Sequence, residues 1–347
     1  MMNFQNPIEF ALEHEIAWSR DTTGVWGVHQ NDIAPHNRLY GPVHPRGGVC
    51  GVIARRGEVL TTFGDVERAD LTFSVAKAYL ALLAGRAFDQ GLLKPEQPVS
   101  EVLPGIGFDD EHNRLVTWKH LLQQTSEWHG LCFGIPDQVD HYRTLAFSPP
   151  ATHPKGTKRR LQAPGTYWEY NDVRINQLSL ALLHLFNEPL PDVFKEHIAK
   201  PCGLSDTWQW VGYDHAWVDI KGRRMPSVPG GSHWGAGVSI SARDQYKLAY
   251  MLLNNGTIDG KRVLSSQWIE QMRTPCALAP FYGYLVWLNH DQSIFKSLSA
   301  SAYFGMGAGG HFSLIDPESG LVVIVRWLEP SQAEGFLHRV IACAGLT

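Results

Sequence analysis

Strand-forming patterns lie near the two ends of this 347-residue chain, and a long helical stretch separates them. Residues 48–63 hold two apolar strand-like segments around Arg55-Arg56-Gly57, a pattern typical of a β-hairpin. Residues 311–327 hold two more around Asp316-Pro317-Glu318-Ser319-Gly320 and predict a second hairpin. We therefore expect the chain ends to form one antiparallel sheet flanked by helices, an α/β (α+β) fold.

The middle of the chain predicts a separate unit. Residues 94–199 contain helical segments between Pro/Gly-rich loops, including a strongly apolar helix over residues 173–186. This organisation predicts two lobes: a discontinuous α/β sheet lobe from residues 1–93 and 200–347, and a mostly helical lobe from residues 94–199. Because ligand sites often lie between such units, we expect the active site there.

Composition excludes several classes of function. Apolar residues make up 44% of the chain and charged residues 18%, as in ordinary globular proteins. The net charge of −4 provides no basic field, so neither nucleic acid nor a membrane is expected as a partner. The chain has no apolar run of about 18 residues and no secretory leader pattern, which predicts a cytoplasmic protein. The oligomeric state stays open.

Metal and cofactor motifs are missing from the sequence. The five cysteines are scattered, which indicates neither a disulfide framework nor a zinc site. His14-Glu15 has no second histidine four residues on to complete a His-Glu-x-x-His site. We expect no cofactor and no metal.

A candidate nucleophile lies where an apolar helix begins. Ser74 and Lys77 are three residues apart, so one helical turn brings their side chains to the same face. The residues that follow, 78–84, are apolar and helix-forming, which places Ser74 at the N-terminus of a buried helix. The unpaired N–H groups there suit an oxyanion on a substrate attacked by Ser74. A plain capping serine with a solvated lysine is the alternative.

A second Ser-x-x-Lys spacing, Ser293 to Lys296, acts as an internal comparison. It lies in a polar stretch with no long apolar helix behind it, and we interpret it as chance.

A candidate base lies directly before the helix of the middle lobe. Tyr170 precedes Asn171 and Asp172, either of which can cap that helix and so fix the direction of the tyrosine. A buried aromatic residue beside a capping side chain is the alternative interpretation.

In these segments the chain resembles the serine β-lactamase and penicillin-binding-protein superfamily, and most of all its class C β-lactamase-like esterases and amidases. Ser74-Val75-Ala76-Lys77 matches the first motif of that superfamily. Tyr170-Asn171-Asp172 matches the second, Tyr-x-Asn, with Asp as its last residue. The resemblance covers about residues 49–327 and implies that Ser74, Lys77 and Tyr170 are catalytic, with Asn171 and Asp172 in support.

The third motif of the superfamily, Lys-Thr-Gly, is altered here. Gly305-Met306-Gly307 occupies the matching place, so the cation is missing. The run from Gly307 to His311 resembles the glycine-rich form of the esterase and amidase branch. In that alignment the backbone N–H of Ala308 joins that of Ser74 as the oxyanion hole, and Gly307 supports it.

The resemblance implies that Lys77 and Tyr170 act as the base for Ser74, and their ionisation states determine which of them accepts the proton. Unperturbed lysine and tyrosine side chains both have pKa values of about 10, so Lys77 and Tyr170 must share a proton to act as a base. A carboxylate at Asp172 would keep Lys77 charged and favour Tyr170 as the proton acceptor from Ser74.

The missing cation favours uncharged acyl substrates, because the lysine of Lys-Thr-Gly is understood to help hold a substrate carboxylate. Trp128, His233, Trp234 and Met306 are the candidate substrate-binding residues, with burial in the core or a surface loop as the alternative. We therefore expect a serine esterase for small uncharged esters. An amidase or peptidase for small linear amides, a weak β-lactamase and a non-catalytic sensor are the other hypotheses.

Overall fold

The computed structural model describes residues 3–22, 32–145 and 150–346. In these ranges the strands are β1 Cys50–Arg55, β2 Glu58–Phe63, β3 Asp70–Leu71, β4 Leu131–Cys132, β5 Ile135–Pro136, β6 Gln209–Val211, β7 Trp217–Ile220, β8 Arg223–Pro226, β9 Gly237–Ile240, β10 Thr257–Ile258, β11 Lys261–Arg262, β12 Trp287–Leu288, β13 Tyr303–Gly307, β14 His311–Asp316 and β15 Leu321–Arg326.

The helices of the same ranges are α1 Gln5–Glu13, α2 Ala76–Asp89, α3 Val99–Val102, α4 Trp118–Leu122, α5 Asp172–Phe186, α6 Leu190–Phe194, α7 Ala242–Leu253, α8 Ser266–Met272 and α9 Ala333–Cys343. None of these described helices has the length and apolar character needed to cross a membrane.

The main sheet joins the two ends of the chain. Its six strands are antiparallel and run in the order β12-β13-β14-β15-β1-β2. Strand β1 lies beside β15, with Cys50 opposite Arg326 and Arg55 opposite Leu321. Both predicted hairpins are present, as β1–β2 and β14–β15. The expected α/β (α+β) fold with an antiparallel sheet is confirmed.

Local chemistry explains the first hairpin. Arg56 and Gly57 form its turn with φ values of 50° and 88°. Two consecutive positive φ angles give the tight turn whose twist matches that of the paired strands, and glycine adopts such an angle without strain.

The central strands are buried on both faces. Val52 and Ile324 face a core that includes Met251 of α7, whereas Ile53 belongs to a second core with Phe336 of α9. Successive side chains of a strand point to opposite faces, so continuous apolar strands require a helical layer on each side of the sheet. Helices α7 and α9 provide those layers.

Between residues 94 and 199 the regular structure is mainly helical, although more than half of the described residues there lie in turns and loops. It contains α3 to α6, with the two-residue strands β4 and β5 as its described extended elements. Helix α5 packs against α2. The N-terminal end of α5 therefore lies near the beginning of α2.

A small three-stranded sheet, in the order β3-β9-β6, brings two distant segments together. Strand β3 pairs with β9 through Leu71 opposite Ser239. The residues that follow β3 contain Ser74, and those that precede β9 contain Gly231 and His233. This pairing therefore places residues 231–233 beside the candidate nucleophile.

Candidate active site

Ser74 lies in a single 3₁₀ turn, Phe73–Val75, that leads directly into α2. The preceding residue, Thr72, donates to the carbonyl oxygen of Val238 from both its backbone N–H (2.9 Å) and its hydroxyl (3.1 Å). Phe73 has a φ of 51°, which is strained for an aromatic residue. Such strain persists only where the surroundings hold it, and here strand β9 fixes the turn that presents Ser74.

Lys77 is the first polar partner of Ser74. Its Nζ donates to Ser74 Oγ at 2.9 Å, and its side chain is 1% exposed. A Cβ placed on Gly231 would lie 3.1 Å from this Nζ and 3.6 Å from Ser74 Oγ. Glycine at position 231 therefore leaves the space that the hydroxyl and the amine occupy.

Asp172 fixes the charge of Lys77. The Lys77 ammonium forms a short hydrogen bond with Asp172 Oδ1. Burial disfavours the charged amine, but the attraction of Asp172 and of Tyr170 outweighs it, so the pKa of Lys77 is raised. Burial also disfavours the Asp172 carboxylate, but Arg143 and Lys77 hold the pKa of Asp172 well below its usual value. The two groups form an ammonium–carboxylate pair at neutral pH.

Further buried and half-buried charged groups surround Asp172. Its Oδ2 accepts from Arg143 Nη1 at 2.5 Å and lies 3.1 Å from His233 Nδ1. Its backbone N–H donates to Asp140 Oδ2 at 2.7 Å. We call the whole group the buried charge cluster; its members are Asp32, Lys77, Asp140, Arg143, Lys155, Asp172 and His233.

Part of the buried charge cluster has the spacing of a metal site. Ligand atoms of Asp140, Asp172 and His233 lie within 4.8 Å of one another. However, Asp140 already contacts Lys155 (3.1 Å), and Asp172 is paired with Lys77 and Arg143. Because a divalent cation would have to displace these side chains, the donor set is better explained by ion pairing.

Tyr170 lies just before α5, and Asn171 holds it there. The Asn171 side chain caps the helix by accepting from the backbone N–H groups of the second and third helical residues, at 3.0 and 3.2 Å. The Tyr170 ring stacks on Trp287, with centroids 5.7 Å apart. Lys77 Nζ lies 4.6 Å, and Arg143 Cζ 5.3 Å, from the centroid of the Tyr170 ring. A negative charge formed on Tyr170 would therefore face two cations.

Ser74 and Tyr170 share one cavity of about 160 Å³. No direct hydrogen bond joins the phenol to Ser74 among the described residues, although catalytic contacts commonly tighten only when substrate binds. The cavity is smaller than the usual pocket for a drug-sized ligand and is lined mainly by apolar groups. Its walls are Ser74, Arg143, Thr144, Leu145, Tyr170, Trp287, Met306, Gly307, Ala308, Phe312 and Pro330.

The end of β13 forms one wall of this cavity. Met306 and Gly307 are its last residues, and Ala308 begins the turn to β14. A Cβ on Gly307 would lie 2.3 Å from the carbonyl oxygen of Thr72. Only glycine allows this close approach of the strand to the turn that carries Ser74.

Three of the four expected substrate-binding residues lie elsewhere, and only Met306 lines the cavity. Trp128 is buried, and its indole N–H donates to the carbonyl oxygen of Gly107 at 2.8 Å. Trp234 is also buried, and its indole N–H donates to the carbonyl oxygen of His36 at 2.8 Å. His233 belongs to the buried charge cluster. The placement of Trp128, His233 and Trp234 in the cavity wall is corrected accordingly.

A larger depression of about 410 Å³ lies elsewhere, between Pro95, Lys119 and Tyr284. Its charged lining groups, Glu96 and Lys119, form a largely exposed ion pair. None of the groups around Ser74 lines this larger depression, so cavity volume alone does not identify the candidate site.

Sequence reasoning missed four members of the buried charge cluster. Arg143, Asp140 and Lys155 lie in segments without a motif, and Asp32 lies more than 40 residues before Ser74. Of these, Arg143 contributes the charged group in the described cavity lining. The departure at Asp172 from the Tyr-x-Asn motif was the one signal in the sequence that pointed to this network.

Comparison with known proteins identifies the family of the chain. The family model named Beta-lactamase matches residues 67–335, which include Ser74, Lys77, Tyr170 and Ala308. A protein of Bacillus subtilis (strain 168) named "Putative penicillin-binding protein PbpX" is 29% identical over 249 residues, which cover 65% of this chain and 58% of PbpX. The chain spans 58% to 66% of the length of the curated relatives that it matches.

Solved structures share the fold at lower identity. A β-lactamase from Mycobacterium bovis, Mb2281c, superposes with a TM-score of 0.60 at 19% identity, covering 88% of this chain and 96% of that one. EstCE1, described as a hydrolase with promiscuous acyltransferase activity, gives a TM-score of 0.60 at 18% identity, covering 85% and 93%. These similarities establish the β-lactamase/transpeptidase fold.

Proposed function

This chain belongs to the Beta-lactamase family, and we propose that it is a serine hydrolase that forms an acyl-enzyme on Ser74, with small uncharged esters as substrates. The observation that carries the proposal is the 2.9 Å contact between Ser74 Oγ and Lys77 Nζ at a cavity that Tyr170 and Ala308 also line. A nucleophile, a candidate base and a candidate oxyanion donor thus face the same small volume.

In the proposed acylation step, Tyr170 starts as a phenolate and accepts the proton of Ser74 as Oγ attacks the ester carbonyl. Lys77 stays an ammonium because Asp172 stabilises its charge, so it donates to Ser74 and balances the phenolate. The backbone N–H groups of Ser74 and Ala308 are the proposed donors to the oxyanion. The C–O bond of the ester then breaks, and Tyr170 returns its proton to the leaving alcohol.

Deacylation repeats the same proton movements with water. Tyr170 takes a proton from a water molecule that attacks the acyl carbonyl, and Ser74 recovers a proton when the carboxylic acid leaves. EstCE1 is described as a hydrolase with acyltransferase activity, and transfer of an acyl group to acceptors other than water supports the same two-step scheme.

The cavity lining supports uncharged substrates. Gly305 occupies the place of the lysine in the third motif of the superfamily, and the guanidinium of Arg143 in the cavity wall is already paired with Asp172 at 2.5 Å and with Asp140 at 3.5 Å. Leu145, Trp287 and Phe312 add apolar walls, which suit a short hydrocarbon acyl chain.

The test is ester hydrolysis by three proteins: the natural chain, Ser74→Ala and Ser293→Ala. Ser293 has the same spacing to a lysine but lies exposed outside the cavity, which makes it a matched control. We expect Ser74→Ala to abolish hydrolysis of p-nitrophenyl acetate and butyrate, and Ser293→Ala to leave it unchanged. Faster turnover of linear p-nitroanilides or a chromogenic cephalosporin would replace the esterase assignment with the amidase or β-lactamase alternative. Inactivity of the natural chain on all of them would favour a sensor.

A further inference from the structure

The imidazole of His233 lies between two carboxylates. Its Nδ1 is 3.1 Å from Asp172 Oδ2, and its Nε2 is 2.6 Å from Asp32 Oδ2. The side chain is 2% exposed, and it does not line the cavity that contains Ser74. His233 therefore touches the candidate catalytic groups only through Asp172.

Hydrogen-bond chemistry determines which form of His233 fits this position. A neutral imidazole has one N–H and one acceptor nitrogen, whereas an ionised carboxylate only accepts. Both contacts are hydrogen bonds only if both ring nitrogens carry hydrogen. The 2.6 Å separation at Nε2 is at the short end for N–H···O bonds, as expected for a charge-assisted one.

The two carboxylates are themselves well supplied with donors, so neither needs a proton of its own. Asp32 accepts from Lys155 and, at 3.1 Å, from the indole N–H of Trp234. Asp172 accepts from Lys77 and Arg143. Both are therefore acceptors toward His233.

The charged groups that face His233 come from several segments. Besides Asp32 and Asp172, Asp140 Oδ1 lies 4.0 Å from Nδ1. Lys155 Nζ lies 3.2 Å from Nε2, a contact in which a neutral Nε2 would accept from the ammonium, but the shorter 2.6 Å contact of Nε2 with Asp32 requires a hydrogen on this nitrogen. Lys155 also contacts Asp32 and Asp140, so Lys155 and His233 together balance the negative charge of these carboxylates. Lys77 and Arg143 lie on the far side of Asp172.

We propose that His233 is a positioning residue for the reaction assigned to Ser74: as an imidazolium anchored on Asp32, it holds the Asp172 carboxylate against Lys77. The inference rests on the proposed function. It defines a continuous buried chain of contacts from Asp32 through His233, Asp172 and Lys77 to Ser74. Because His233 does not face the cavity, its loss is expected to lower kcat and leave KM nearly unchanged.

The first experiment tests the protonation of His233 without requiring activity. The chain is labelled with 15N-histidine, and the His233 signals are identified by their absence in His233→Gln or, if that variant does not fold, by their displacement in Asp32→Asn. The proposal predicts that both ring nitrogens carry hydrogen at pH 7. A signal typical of an unprotonated ring nitrogen would overturn it, whatever the chain hydrolyses.

The second experiment tests positioning through pH–rate profiles for p-nitrophenyl acetate. In His233→Gln we expect kcat to fall by about tenfold or more, the scale of a lost charge-assisted hydrogen bond. Loss of one cation also makes the surroundings of the base more negative, so the acidic limb of the profile should move to higher pH. His141→Gln is the matched control, since His141 is buried against Asp137 (2.9 Å) and contacts neither Lys77 nor Asp172.

Each possible result of these experiments has a different interpretation. A lowered kcat and a moved acidic limb in His233→Gln, with the profile of the natural chain retained in His141→Gln, support the positioning role. An unmoved limb in His233→Gln contradicts it and assigns His233 a purely structural role. A natural chain that is not acylated at Ser74 refutes the proposed function instead, and the NMR result then decides the state of His233 alone.

Discussion

Replacing Asp172 with Asn removes one buried negative charge and little else. The side-chain volume is conserved, and the backbone N–H of residue 172 can still donate to Asp140. In the natural chain the side chains of Lys77 and Arg143 contact this carboxylate and are 1% and 16% exposed. In the variant these two cations would face each other with no negative charge between them. Removing one partner of a buried ion pair costs about 3–5 kcal/mol. We expect the free energy of unfolding to fall by that amount at pH 7.

The effect should depend on pH in a defined direction. The raised pKa of Lys77 means that its ion pair stabilises the native state fully below the unfolded lysine pKa of about 10.4, and that this contribution is lost as pH rises through the folded value. The stability difference between the natural chain and Asp172→Asn should therefore shrink above that pH. In the variant Lys77 loses its proton more readily, so the alkaline limb of the pH–rate profile should move to lower pH.

Urea unfolding followed by tryptophan fluorescence at pH 7 and above pH 10, together with p-nitrophenyl acetate hydrolysis across pH, measures both effects. Asp137→Asn is the matched control, because Asp137 is equally buried and pairs with Arg174 rather than Lys77. It should lose stability but keep the alkaline limb of the natural chain. A change below about 1 kcal/mol in Asp172→Asn, the range of exposed ion pairs, together with an unmoved limb would refute the reasoning.

Two further predictions follow from the same contacts. Tyr170→Phe keeps the ring stacked on Trp287 but removes the proposed base. The value of kcat/KM for esters should therefore fall by about 10²–10⁴-fold, the usual contribution of general acid–base catalysis, while the urea midpoint of unfolding stays nearly unchanged. A fall below tenfold would exclude Tyr170 as the base. Burial disfavours the Asp140 carboxylate, but Lys155, Arg143 and His233 lower its pKa to about 2. The stability that this carboxylate contributes to the folded protein should therefore be lost as pH falls from 3.8 toward 2. Acid unfolding should be less steep in Asp140→Asn than in the natural chain, and identical acid-unfolding curves for the two proteins would contradict this.

The fold could be predicted because its signals are local. The Arg56-Gly57 turn and the apolar strands beside it determine the first hairpin, and Asn171 caps α5 as its position before the apolar helix indicates. The apolar residues after Lys77 likewise predicted a buried helix, and α2 is buried along most of its length.

The buried charge cluster could not be predicted, because its members come from separated segments that only tertiary structure brings together. His233 reaches Asp172 through the pairing of β3 with β9, and Asp32 reaches His233 from the N-terminal part of the chain. The sequence predicts Trp128 and Trp234 in the cavity wall because they lie near the motif segments along the chain. Their indole N–H groups instead bond to backbone carbonyl oxygens inside the protein, which satisfies the polar atom of a buried tryptophan.

Intact-mass analysis of acylated protein is the most direct measurement of the central claim, that Ser74 is the nucleophile. The natural chain is mixed with a p-nitrophenyl ester, quenched in acid within the first turnovers and mapped by peptide digestion. We predict one acyl group per chain on Ser74, retained in Ser293→Ala and absent in Ser74→Ala. An acyl group on another residue, or undiminished ester hydrolysis by Ser74→Ala, would contradict the account.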